Sequence, residues 1–251
     1  MPTIHRSMAP ALSFNGGFVD TIGFLALQGL FTAHVTGNFV TLGVSIVHGT
    51  SGALAKLLAL PVFALVVGLT HIAAVSINRR GLTPLRPLLI LHTLLLALFG
   101  GLAIWLGPFN DGDSGAALLT GMTGVAAMAI QNAISRQHLK GAPPTTLMTG
   151  NVTQGAIDVF ALIGLRDEEQ RAAIKQRLKP IGLNLLGFTV GCIGAALLYL
   201  ALGLWCLAVP ILVAIWTCVQ TFGSTDSLTV PLSGTGEGPQ AGPFPTDQKN
   251  L

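Results

Sequence analysis

The sequence predicts an all-α membrane protein of six transmembrane helices, arranged as two inverted three-helix repeats. Three observations carry this prediction. The 251-residue chain is 51% hydrophobic and only 9% charged, whereas soluble domains carry about 25% charged residues. Six stretches are apolar and near the ~20 residues that a span needs. A short phrase also occurs twice, as Val35-Thr36-Gly37-Asn38 and, 113 positions later, as Met148-Thr149-Gly150-Asn151.

In chain order the spans are 13–31, 52–77, 87–107, 115–134, 180–202 and 204–222. Each copy of the phrase follows a span, precedes a short apolar piece, and is followed by two more spans. The short pieces, 39–47 and 152–165, are too short to cross alone, a length typical of re-entrant or interfacial segments. A unit with an odd number of spans lies upside down relative to its twin, as in many secondary transporters. The chain thus reads as one membrane domain, 1–222, with repeats at about 13–110 and 111–222, and a disordered cytoplasmic tail at 223–251, rich in Gly, Pro, Ser and Thr.

Basic residues set the orientation. All 13 Lys and Arg except Lys56 fall on one side of the six-span plan, so both termini are expected in the cytoplasm. The same distribution explains the net charge of +3 as membrane topology, and nucleic acid is excluded as a partner. The 108–114 loop carries Asp111 and Asp113 and no base, as an outside turn can. The first apolar run contains Asp20 and no small-residue cleavage site, so it reads as a signal anchor. Cys192, Cys206 and Cys218 fit no metal motif and read as buried apolar thiols. Gly187 with Gly191, and Ala117 with Gly121, are small-residue pairs that let membrane helices approach closely. Asp167 and Arg171 are spaced as an i,i+4 ion pair on a solvated charged segment at 166–179.

Asp20 is the sharpest candidate for chemistry, as the one acid inside an assigned span. An intramembrane carboxylate is costly unless paired or hydrated. It is either a proton- or cation-coupling site or substrate contact, or a shallow, hydrated or capping group. His71 and His92 lie in spans two and three, and either imidazole can serve a proton path, pair with Asp20, or join helices by hydrogen bonds. Gln28, Gln131, Asn132 and Asn184 are uncharged polar groups that bridge helices or line a cavity; Gln131 and Asn132 fall opposite Asp20 in the repeat. In the doubled phrase, Gly37 and Gly150 permit a positive-φ turn, while Thr36, Asn38, Thr149 and Asn151 are good helix caps. A helix starting there would offer free N–H groups to an anion or carbonyl, with Thr145 and Thr146 adding hydroxyls to the second copy. The chain lacks a phosphate-binding Gly-Lys-Ser/Thr loop, His-Glu-x-x-His, Cys-x-x-Cys and Gly-x-Ser-x-Gly, so it is read as neither an ATPase nor a familiar hydrolase, and no metal or cofactor is expected.

At Gly17-Phe-Val-Asp20-Thr-Ile-Gly-Phe, Phe31-Thr-Ala-His-Val-Thr-Gly-Asn38, Met128-Ala-Ile-Gln131-Asn132-Ala and Pro144-Thr-Thr-Leu-Met-Thr-Gly150, the chain resembles the YoaK family. The resemblance covers about 13–222 and implies six spans in a bacterial inner membrane, without an established substrate. It maps motif positions onto Asp20, Thr36, Gly37, Asn38, Gln131, Asn132, Thr145, Thr146, Thr149 and Gly150. Asn151 is a position expected to vary.

The leading expectation is secondary transport of a small solute, coupled to protons through Asp20. The partners expected are the lipid bilayer and that solute; a homo-oligomer is left open. A non-transport scaffold or regulatory protein, acting through the charged 135–179 segment, is the alternative. An intramembrane enzyme built on Asp20, His71 and His92 ranks last, and the chain is read as not an enzyme.

Overall fold

The computed structural model describes residues 3–139 and 141–222. The expected tail at 223–251 lies outside the described residues. Within them the fold is helical: α1 (Thr3–Ala26), α2 (Gly37–His48), α3 (Ala53–Arg79), α4 (Leu85–Leu106), α5 (Gly115–His138), α6 (Met148–Gly164), α7 (Glu168–Leu202) and α8 (Ala208–Gln220). A 3-10 turn, Gly203–Leu207, joins the last two, and Gly203 adopts φ 57° at the break.

Four segments are long and apolar enough to cross a membrane: α3, α4, α5 and the Glu168–Gln220 run that contains α7 and α8. Their outward faces carry Leu65, Leu94, Trp105, Leu200 and Trp205, all exposed. So broad an apolar surface suits hydrocarbon as its solvent, because helices satisfy their own backbone groups there. The protein is therefore a membrane-embedded helical one. At 24 residues α1 has a span's length, about 36 Å, but it buries Ser13, Asn15 and Asp20. Such a helix is tolerable only at the centre, and α1 does sit among α5, α7 and α8.

The closest crossing is α1 with α7. A β-carbon on Gly17 would lie 2.2 Å from the Phe188 carbonyl oxygen, and one on Gly191 would lie 2.2 Å from that of Phe14. Gly187 similarly faces the Pro10 carbonyl. Glycine at these positions sets backbone-to-backbone contact. Around this crossing Phe18, Val19, Ile22 and Leu30 of the first segment pack with Leu96, Phe99, Val125 and Met128. Helix α5 packs on α3 and α4, and α8 packs on α4 and α1. The short helices are peripheral: among the described helices α2 packs on α3 alone, and α6 on α7 alone.

Several local expectations change. The first helix ends at Ala26, not at 31, because Gln28 and Gly29 adopt φ of 53° and 82° and turn the chain back. The doubled phrase is not a positive-φ turn, since neither Gly37 nor Gly150 is left-handed. The first copy straddles the start of α2, which has 12 residues, and the second opens α6, which has 17. Both helices fall short of a span. Asp167 does not pair with Arg171 through its side chain; it caps α7 by accepting from the Glu169 N–H at 2.9 Å, and Arg171 faces Glu168. Asp113 is more than an outside turn residue, because its carboxylate accepts from the Gly52 and Ala55 N–H groups, both at 3.0 Å, and so caps α3 from the other half of the chain.

Candidate functional site

Two non-helical segments, 27–36 and 141–147, fold back against the helices that precede them. The first is organised by Asp20. Its Oδ1 accepts from the backbone N–H groups of Thr32 (2.7 Å), Ala33 (2.8 Å) and His34 (3.4 Å), and from the Thr32 hydroxyl at 3.3 Å. Successive N–H groups converging on one oxygen form an anion nest. Its Oδ2 lies 2.6 Å from His34 Nδ1. A carboxylate only accepts, so that nitrogen carries the proton. His34 is partly exposed and its ring stands edge-on to Phe188 of α7, 5.4 Å between centroids. In this connecting segment the imidazole is held above its ordinary 6.5, chiefly by the hydrogen bond to Asp20; burial opposes this and the Asp20 charge adds to it.

Asn38 closes the first segment. Its side chain accepts from the Phe31 N–H and donates to the Phe31 carbonyl, both at 2.8 Å. It therefore reaches back seven residues instead of capping its own helix, and Thr36, at the cap position, makes no side-chain cap bond. The N–H groups of Gly37, Asn38 and Phe39 already bond to the carbonyls of His34, Val35 and Thr36, so the α2 end does not offer them to a ligand. Gly37 leaves room for the Phe31 ring, which a β-carbon would approach at 3.1 Å.

The second segment repeats the plan with different chemistry. Asn151 donates to the Pro144 carbonyl at 2.8 Å, again seven residues back. Proline has no N–H to give in return, so one bond replaces two. The Thr145 N–H donates to Ser135 Oγ at 3.3 Å, which puts a neutral hydroxyl where the first segment uses the Asp20 carboxylate. Asn132 donates to the Thr146 hydroxyl at 2.7 Å, and Gln131 donates to the Leu12 carbonyl of α1 at 2.8 Å. Thr149 takes a Thr153 side-chain bond on its carbonyl within α6, and a β-carbon on Gly150 would meet nothing within 4 Å beyond its own helix.

The two segments meet on α1. A β-carbon on Gly16 would lie 3.3 Å from Thr146 Cγ2 and 3.4 Å from the Thr145 carbonyl oxygen. Asp20, which holds Thr32, is one turn further along, about 6 Å of rise. Other expected residues lie apart from this seam. His92 is buried with Nδ1 3.0 Å from the Ala127 carbonyl, and His71 faces Gln137 at 3.3 Å. Neither meets Asp20, whose histidine is His34. Gln28 donates to the Phe109 carbonyl at 2.9 Å, a strut between two loops of the first repeat.

Each short helix is tied to the next long one by a polar link with at least one buried partner. Lys56, the exceptional base of the charge pattern, is buried and donates to Ser45 of α2 at 2.7 Å. Arg177 donates to the buried Asp158 of α6 at 2.7 Å. Ser45 and Asp158 are 113 positions apart, the spacing of the doubled phrase.

These features define a helical membrane-type protein with two folded-back polar segments seated on a central polar helix. More particularly, the chain belongs to the DUF1275 family, described as a protein of unknown function, which matches residues 8–220. No curated protein and no solved structure matches it.

Proposed function

We propose that the chain is a secondary transporter of a small solute, built from two inverted three-span repeats and coupled to protons through the Asp20–His34 pair. The six-span count takes α1 as the first span and counts α7 and α8 separately at the Gly203 break. Support for the inversion comes from packing. Exchanging α1 with α5, α2 with α6, α3 with α7 and α4 with α8 turns each major contact into another: α1–α7 into α5–α3, α4–α5 into α8–α1, and α2–α3 into α6–α7. The Asn38–Phe31 and Asn151–Pro144 links, and the Lys56–Ser45 and Arg177–Asp158 links, follow the same exchange. The basic residues favour cytoplasmic termini, and the YoaK resemblance favours a bacterial inner membrane.

The observation that carries transport is the seam on α1, where both folded-back segments meet within one helical turn. Irregular backbone inside a membrane protein is tolerated where it is protein-covered or lines a cavity, and transporters place their sites at such breaks. In this reading Asp20 holds the segment by its amides and His34 carries the exchangeable proton. Reconstitution into liposomes under an imposed pH gradient tests it. Gradient-dependent solute or proton flux is expected, with loss of that dependence in His34→Gln and Asp20→Asn. Absence of flux in the unaltered protein, or undiminished coupling in both variants, contradicts it.

A further inference from the structure

We propose that the α6–α7 hairpin is a docking surface for an anionic phospholipid, its headgroup on Lys175 and Lys179 and its acyl chains on the apolar faces beside them. Helix α7 is charged from Glu168 to Lys179 and largely apolar from Ile181 onward. Helix α6 runs antiparallel beside the charged part. A β-carbon on Gly155 would lie 3.3 Å from Ile181 Cγ2, Arg177 donates to Asp158 at 2.7 Å, and Arg171 donates to the Leu165 carbonyl at 3.1 Å. The outer half of α6 therefore stands beside charged residues of α7, reaching about 15 Å beyond Ile181. Yet that half bears Val159, Phe160 and Ile163, all exposed, Ile163 at 76%. The headgroup layer is only about 5–8 Å deep on each side of a bilayer. An upright hairpin would leave these side chains in water. A hairpin seated at the boundary of headgroups and acyl chains covers them, and helices with apolar and basic faces settle there.

The charges complete the match. Arg171, Lys175 and Lys179 are spaced four apart and so form one stripe on α7. The stripe continues along α7 as Leu183, Leu186 and Val190, all exposed. At about 100° per residue, it lies roughly 110° round from the line of contact with α6, and so does the Val152, Val159 and Ile163 face of α6. Because the helices run antiparallel, both faces turn to one flank of the pair. Glu168 shares the stripe but pairs with Arg171 at 3.9 Å, and Arg177 is engaged by Asp158. Lys175 and Lys179 are exposed and have no ion pair among the described residues. Lysine stems run along apolar surface while their ammonium groups reach outward. A free phosphate would satisfy the two lysines and leave the apolar flank uncovered. An anionic lipid covers both, and each lysine near such headgroups contributes about fivefold in affinity.

Fluorescence quenching tests the surface. Ile163→Trp supplies a single reporter in a chain whose native, exposed Trp105, Trp205 and Trp216 are changed to Phe. The full chain is reconstituted in phosphatidylcholine vesicles, and phosphatidylglycerol or phosphatidylcholine with brominated acyl chains is added at equal mole fraction. Quenching by both is expected, with an apparent affinity about fivefold or more higher for the brominated phosphatidylglycerol. That preference should fall close to one when Lys175→Gln and Lys179→Gln are combined, and persist when both are changed to Arg. Equal affinity for the two lipids, or a preference that survives the double Gln variant, overturns the proposal. Quenching by aqueous acrylamide with little by either brominated lipid also overturns it, in favour of a soluble protein partner on this flank. The readout does not involve solute flux, so it stands or falls separately from transport.

Discussion

At the residue scale, the Asp20 carboxylate is the organising group of the 27–36 segment. Removing it leaves buried amides of Thr32 and Ala33 without an acceptor, and each such loss costs about 1–3 kcal/mol. Asp20→Ala is expected to lose about 3 kcal/mol or more in denaturation measurements in detergent. Asp20→Asn, which keeps one oxygen for the amides, is expected to lose only about 1 kcal/mol. A second prediction concerns the doubled phrase. Gly150 lies in α6 with ordinary φ and open space around it, so Gly150→Ala is expected to raise stability by about 0.4–1 kcal/mol; a marked loss would restore the turn reading. Asp20, Asn38 and Asn151 were legible because polar groups inside apolar stretches are conspicuous. Their roles were not, because a bond reaching back seven residues has no local signature. His34 carries no such signal, because it lies just past an assigned span and only the backward fold of 27–36 brings it to Asp20.

At the element scale, glycine fixes the central crossing. The β-carbons of Gly17→Ala and Gly191→Ala would strike carbonyl oxygens that cannot rotate away. Each substitution is expected to cost about 1–3 kcal/mol or more by forcing α1 and α7 apart, read as a lower unfolding midpoint. The GxxxG spacing of Gly187 and Gly191 announced such a contact. The α6–α7 link gives a pH prediction. The Arg177 hydrogen bond, opposed by burial and aided by Gln154 and the Arg177 charge, holds the Asp158 carboxyl below its ordinary 3.8. A folded-state value below the unfolded one contributes stability above 3.8, and that stability is lost as pH falls through the folded value. Midpoints below pH 3.8 should therefore fall more steeply in the unaltered chain than in Asp158→Asn. The helices were largely readable because long apolar runs and their breaks are strong signals. The end of α1 was not, because the apolar run continues past Ala26 while Gln28 and Gly29 turn the backbone.

At the scale of the whole molecule, composition alone places the chain in a membrane, and the helical fold with outward apolar faces agrees. What composition does not reveal is why α1 tolerates so many polar groups. The answer is its central position, where the 27–36 segment donates to Asp20 and the Pro210 carbonyl of α8 accepts from Asn15. The inverted plan proposed for the chain would make the α2–α3 and α6–α7 connections face opposite sides of the bilayer. Thr50 and Arg166 are exposed residues in those connections. The most direct measurement is labelling of single cysteines, Thr50→Cys and Arg166→Cys, in a background without the native three cysteines, using a membrane-impermeant maleimide on intact cells. The account predicts that residue 50 labels from outside and residue 166 only after permeabilisation; labelling of both from the same side would contradict it.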